Sequence, residues 1–161
     1  MDYVIARHEL PEQHIVSLRD RRTPEDLSSF LVRAFGELYG SLPSLGATPA
    51  GPPFAIYHAF GDASIDVEAC VPVAHPVETP NRIDSRVVPP MTVAGTVHIG
   101  RYEDLAGAYD AVRRWVRDSG FETAGPVHER YLNGPGDEIP ADRYETIVEV
   151  PIVAKDAAVA V

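Results

Sequence analysis

Cysteine is nearly absent from the chain. Cys70 stands alone, so no internal disulfide can form and no cysteine zinc cluster exists. Basic residues are scarce as well. Fourteen lysines and arginines face 24 aspartates and glutamates, a formal net charge of −10. Such a surface repels phosphate backbones, which argues against direct nucleic-acid binding and leaves cationic ligands or basic partners. No apolar run approaches the ~20 residues of a membrane span. No charged-then-apolar leader pattern opens the chain, and the expected location is the cytoplasm. The six histidines never fall at metal-ligand spacing, so no metal site is expected. No glycine-rich phosphate loop and no serine-centred nucleophile elbow occurs, and no cofactor is expected.

What is present suits one domain. The 161 residues are 45% hydrophobic, enough to bury a core. Two short apolar runs, 3–6 and 14–18, flank Pro11 and read as one interrupted strand or two short ones. Thr23-Pro24-Glu25-Asp26 has the chemistry of a helix start: a capping hydroxyl, proline in the first turn, and acids at the positive end of the dipole. Leu27, Phe30, Leu31, Ala34, Phe35, Leu38 and Leu42 follow at helical spacing and predict a helix over 24–41. A loop over 42–53 and a hairpin of strands 55–60 and 64–73, turning at Gly61-Asp62, come next. Residues 75–90 lack periodicity and read as a linker. Beyond them the pattern predicts a strand over 92–99, a helix over 102–119 stopped by Gly120, and strands over 126–133 and 144–153. Residues 154–161 read as a loose tail.

The order strand, helix, strand, strand thus occurs twice, in half-repeats of about 1–74 and 91–153. Ala69-Cys70-Val71-Pro72-Val73 corresponds to Val148-Glu149-Val150-Pro151-Ile152, and Tyr57 to Tyr131. The expected fold is α+β, with one antiparallel sheet, two helices and a pseudo-two-fold axis whose seam would form a cleft. Glu129 corresponds to Ala55, and Glu68 to Ile147. A ligand site requires that kind of asymmetry.

Glu129 and Tyr131 carry the functional reading. Two residues apart on a strand, they share a face, and an acid beside a ring is costly to bury unless used. A carboxylate could meet a ligand cation while the tyrosine offers its π face. A desolvated glutamate could instead pass a proton with the tyrosine assisting. The plain alternative is an exposed strand salt-bridged through Arg130 or His128. Glu68 alternates with Cys70 and is expected to face protein or pocket. Tyr57 is a second candidate wall. Tyr109 and Trp115, on the second helix's apolar stripe, are core candidates as well as ligand walls.

Ile65 to Val73, Val97-His98-Ile99-Gly100-Arg101-Tyr102-Glu103-Asp104-Leu105, Gly125 to Pro135 and Thr146 to Ile152 resemble the GyrI-like small-molecule-binding domain. The same domain is the effector-binding part of AraC-type and MerR-type multidrug-responsive regulators. The resemblance covers nearly the whole chain, and its more specific parts are His-x-Gly-x-Tyr-x-x-Leu and Glu-x-Tyr-Leu. It implies a pocket for bulky, often cationic aromatic compounds, a glutamate among rings, and a duplicated strand-helix-strand-strand fold. It maps Glu129, Tyr131 and Glu68 onto that pocket. The family often has Thr-Glu-Ile where Thr146-Ile147-Val148 stands here, with Glu145 or Glu149 as partial replacements. Some members hydrolyse cyclopropane-bearing alkylating natural products, with Glu129 and Tyr131 the catalytic pair by that analogy. Binding is the favoured expectation and hydrolysis the alternative. No DNA-binding segment precedes the first strand, so the domain is expected to act alone or with a separate partner. A regulator or topoisomerase partner follows from analogy only.

Overall fold

A computed structural model describes residues 2–80 and 82–155. In chain order its strands and helices are β1 (Ala6–Leu10), β2 (Gln13–Arg22), α1 (Leu27–Leu45), β3 (Phe54–Phe60), β4 (Ile65–Val73), β5 (Asp84–Val88), β6 (Met91–Ile99), α2 (Ala106–Asp118), β7 (Phe121–Thr123), β8 (Val127–Tyr131) and β9 (Glu145–Ala154). The chain is α+β, and every strand pairing described below is antiparallel. Contacts divide it into two units, Pro11–Pro90 and a second made of Met1–Leu10 with Met91–Val161.

In the unit Pro11–Pro90 the strand order is β3-β4-β2-β5. The Thr23 side chain accepts a bond from the Asp26 amide at 3.3 Å, as its capping chemistry suggested, and a single 3-10 turn (Pro24–Asp26) leads into α1. Phe30, Ala34, Leu38 and Leu42 are buried at four-residue spacing. Each of the three large ones contributes roughly 1.5–3 kcal/mol on leaving water. The helix runs past the expected end at residue 41 and contains Pro43 in its last turn. A proline there forfeits one intrahelical bond but need not stop a helix already held by its buried stripe. Gly46, at φ 66°, ends it, and the Gly46 and Ala47 amides close on Pro43 and Leu42 carbonyls.

The second unit has the order β1-β6-β9-β8, with β7 on the far end of β9. A 3-10 turn (Tyr102–Asp104) opens α2, and Ala108, Val112 and Val116 bury one stripe against Ala94, Val148, Val150 and Ile152. That packing defines a helix-facing side of the sheet. Register puts Thr96, His98, Glu129, Tyr131, Thr146 and Val148 on it. Arg130, Glu145, Ile147 and Glu149 point the other way, where Arg130 Nε donates to Glu149 at 3.1 Å with both side chains buried.

The duplication is visible at the level of single atoms. Ala50 N donates to Pro72 O at 2.9 Å, and Ala124 N to Pro151 O at 2.8 Å. Gly51 lies against the Pro72 ring as Gly125 lies against that of Pro151. Pro72 lies beyond the stretch of β4 paired with β3, and Pro151 beyond the stretch of β9 paired with β8, so neither breaks that ladder.

Three further expectations change. Residues 84–88, read as linker, form β5 on the outer side of β2. Their Asp-Ser-Arg-Val-Val sequence is too short and polar to announce a strand. The chain's first strand is β1 rather than 3–6, and it pairs with β6, so residues 1–10 join the second unit. The stretch 121–123 forms β7, unforeseen because three residues carry no periodicity. At the carboxyl end Ala154 completes β9 and Lys155 N donates to Gly120 O at 3.0 Å. The remainder of the expected loose tail, 156–161, lies outside the described residues.

Candidate functional site

The strand alternation that grouped Glu129 with Tyr131 aims both at α2. Glu129 is 7% exposed. Tyr131 Oη donates to its Oε1 at 2.9 Å, and Tyr109 Oη, reaching down from α2, donates to Oε2. One carboxylate thus accepts a phenol hydroxyl on each of its two oxygens. The sequence placed Tyr109 on the core stripe. It packs on the core, and its hydroxyl completes the site. The Arg113 guanidinium lies 5.4 Å from the Tyr109 ring centroid, so one face of that ring already receives a cation.

Two further rings extend the site. Tyr102 meets Tyr131 edge-on at 5.9 Å and lies tilted by 31° against Tyr144 at 5.2 Å. Burial pushes the Tyr102 phenol up to about 12, with Tyr144, Glu129 and Asp137 adding to the effect. Tyr102 therefore stays protonated and neutral across the physiological range. Its position is set from both sides. It opens the turn after Gly100, whose φ of +147° favours glycine. A Cβ on Gly134 would come within 2.9 Å of its hydroxyl. The loop carrying Gly134 and Tyr144 is tied at its base, where Asn133 Nδ2 donates to Glu145 Oε2 (3.0 Å) and Glu145 N donates to Asn133 Oδ1 (2.8 Å). Thr146, fully buried opposite Tyr131, has a hydroxyl with no hydrogen bond among the described residues, which leaves a polar contact open beside the rings.

Tyr102 and Tyr144 were not singled out from the sequence. The signal for Tyr102 was available in His98-x-Gly100-x-Tyr102, whereas Tyr144 sits in an irregular turn without a motif. Trp115 takes no part in the cluster. It lies six residues beyond Tyr109, about 240° further round the helix, stacks on Phe121 at 5.7 Å, and lines an open groove with Tyr3, Asp104 and Asp118. Glu145, Ile147 and Glu149 lie on the sheet face opposite Glu129. The missing acid at Ile147 would not have stood beside Glu129, and neither proposed replacement does.

Glu68 and Tyr57 belong to the unit Pro11–Pro90 and lie on opposite faces of its sheet, since Tyr57 registers with Val67 and Ile56 with Glu68. Tyr57 stacks on Phe60 at 4.8 Å. Glu68, 2% exposed, accepts from Ser17 Oγ (2.6 Å) and from Arg86 Nε and Nη2 (3.0 and 2.6 Å), and pairs with His58 Nε2 (2.8 Å). Burial alone would raise its pKa, but the bonds from Arg86, Ser17 and His58 overcome that and hold it at about 2.

Among the described residues no group of three His, Cys, Asp or Glu side chains converges as a metal site, and no helix is long and apolar enough to cross a membrane. No curated protein matches the chain. The EcmrR C-terminal domain is similar at 25% identity, with a TM-score of 0.87 over 96% of this chain and 99% of that one. In the structure of EcmrR with DNA, this chain spans only 58% of the EcmrR chain. A hydrolase from Listeria innocua shares the fold at 14% identity (TM-score 0.69, 92% and 91% covered). SAV2435, solved bound to tetraphenylphosphonium, shares it at 14% (TM-score 0.59, 95% and 94% covered). With a family profile matching residues 5–153, the tyrosine-held Glu129 and the duplicated fold sit in a chain that belongs to the GyrI-like small molecule binding domain family.

Proposed function

We propose that this chain binds a lipophilic, cationic aromatic small molecule at Glu129, as a sensor or sequestering protein. One observation carries the reading: a carboxylate 7% exposed whose two oxygens accept from neutral phenols, Tyr109 and Tyr131. Tyr131, Tyr102 and Tyr144 supply ring surface for cation–π and edge contacts. Selectivity for cations follows from the carboxylate, and tolerance of bulky aromatics from the rings. The lipophilic cation in the SAV2435 structure provides the probe.

Calorimetric titration with tetraphenylphosphonium tests this. The wild-type chain is expected to bind, and Glu129→Gln to bind at least about tenfold more weakly with its fold intact. A wild-type chain that ignores the cation, or a Glu129→Gln variant that binds equally well, rejects the reading. Incubation with a cyclopropane-bearing alkylator separates binding from hydrolysis: a product whose formation depends on Glu129 would move the assignment to an enzyme.

A further inference from the structure

The ligand reading leaves one connected set of buried polar groups unused. His98, 2% exposed, is bonded on both ring nitrogens. Nε2 faces the Arg101 carbonyl at 3.0 Å, which can only accept, so this nitrogen carries the proton. With the proton on Nε2, Nδ1 is bonded to the Tyr3 hydroxyl at 2.7 Å. The Arg101 carbonyl belongs to the peptide that begins Tyr102, so fixing it fixes the plane from which that side chain departs. The turn is shaped around the imidazole: a Cβ at Gly100 would stand 3.1 Å from His98 Nε2.

The N-terminal segment is held at two further points. Thr96 Oγ1 donates to the Val4 carbonyl at 2.9 Å, and the Tyr3 ring lies against Gly107 of α2. His98, Thr146 and Tyr131 form one row across β6, β9 and β8 on the helix-facing side. The segment is therefore anchored to the strand and the helix that carry the candidate site, and to the turn that carries its Tyr102 wall.

We propose that Tyr3 and His98 are positioning residues for Tyr102, and that docking of the N-terminal segment is thereby coupled to ligand binding at Glu129. The coupling rests on the binding function proposed above. Because coupling is reciprocal, a bound ligand also tightens the segment.

Tyr3→Phe removes only the hydroxyl. It is expected to weaken tetraphenylphosphonium binding roughly three- to tenfold. In a Tyr102→Ala background the same change should have no further effect, a non-additivity that general loosening of the fold would not produce. Without ligand, amide exchange at Asp104 and Leu105, whose N–H groups bond the Arg101 and Tyr102 carbonyls, should speed up in Tyr3→Phe while residues 13–22 stay unchanged. Thr96→Val, which frees the Val4 carbonyl, should act in the same direction and serves if Tyr3→Phe does not fold. Unchanged affinity in the folded variant, or equal weakening in both backgrounds, overturns the coupling. If the wild-type chain does not bind the phosphonium, the Glu129 reading fails and the coupling with it. The exchange data then decide the positioning role alone: faster exchange at Asp104 and Leu105 upholds it, and unchanged exchange overturns it.

Discussion

Of the three buried glutamates among the described residues, Glu68 in one unit and Glu129 in the other have different partners. Glu68 is met by a guanidinium, an imidazole and a hydroxyl. Glu129 is met by two phenols. The first arrangement consumes the charge internally and pins Arg86, and with it β5, to the sheet. The second holds the carboxylate in place between two hydroxyl donors. Burial is similar in both, so burial alone does not separate a structural acid from the one proposed to bind ligand.

The largest effect should come from breaking the Glu68 cluster. Glu68→Gln leaves Arg86 and His58 without their shared anion and is expected to cost about 2–3 kcal/mol in urea denaturation, less than a fully buried pair because Arg86 is 38% exposed. The same residue sets an acid limit. Its carboxyl falls from 4.5 to about 2 on folding. Its contribution is therefore present above about pH 4.5 and is lost as pH falls toward 2. Wild-type stability should decline across that window, and the Glu68→Gln variant should decline less.

Glu129→Gln should show the reverse balance: little change in stability beside the loss of cation affinity expected above. A Glu129→Gln variant as unstable as Glu68→Gln would erase the distinction between the two acids. Tyr131→Phe removes one donor from Glu129 and should cost about 1 kcal/mol, read by thermal unfolding. The smallest effect on stability is expected from Gly134→Ala. Its Cβ meets only the tip of the Tyr102 side chain, which can yield, so unfolding should shift by less than about 1 kcal/mol. The displaced ring should nevertheless change phosphonium affinity, which titration would register.

The sequence was legible where side-chain periodicity or capping chemistry is strong. Both helices, the hairpin and the proline-matched repeat follow from that, as does the shared face of Glu129 and Tyr131. Tyr109 was placed on the correct stripe, but its hydroxyl bond depends on how α2 lies over β8, which no local pattern encodes. Sequence likewise suggested that Glu68 faces protein or pocket rather than open water. It did not supply Arg86, because that partner comes from a short polar strand that resembled linker. Tyr144 was hidden for a related reason: an irregular loop acquires its direction from the Asn133–Glu145 tie at its base.

The pairing of β1 carries a consequence for synthesis of the chain. Residues 6–10 leave the ribosome early, yet their hydrogen-bonding partner, Met91–Ile99, is made only after all of Pro11–Pro90. Until then their N–H and C=O groups form an open edge, the kind of surface that templates association between nascent chains. Closing so long a loop also slows folding. Excising residues 6–10 and reinserting them directly ahead of β6, a transposition that lets Leu10 lead through a short turn into Met91, would place the two partners close together in sequence. Such a chain should refold faster and aggregate less, with the same final pairing.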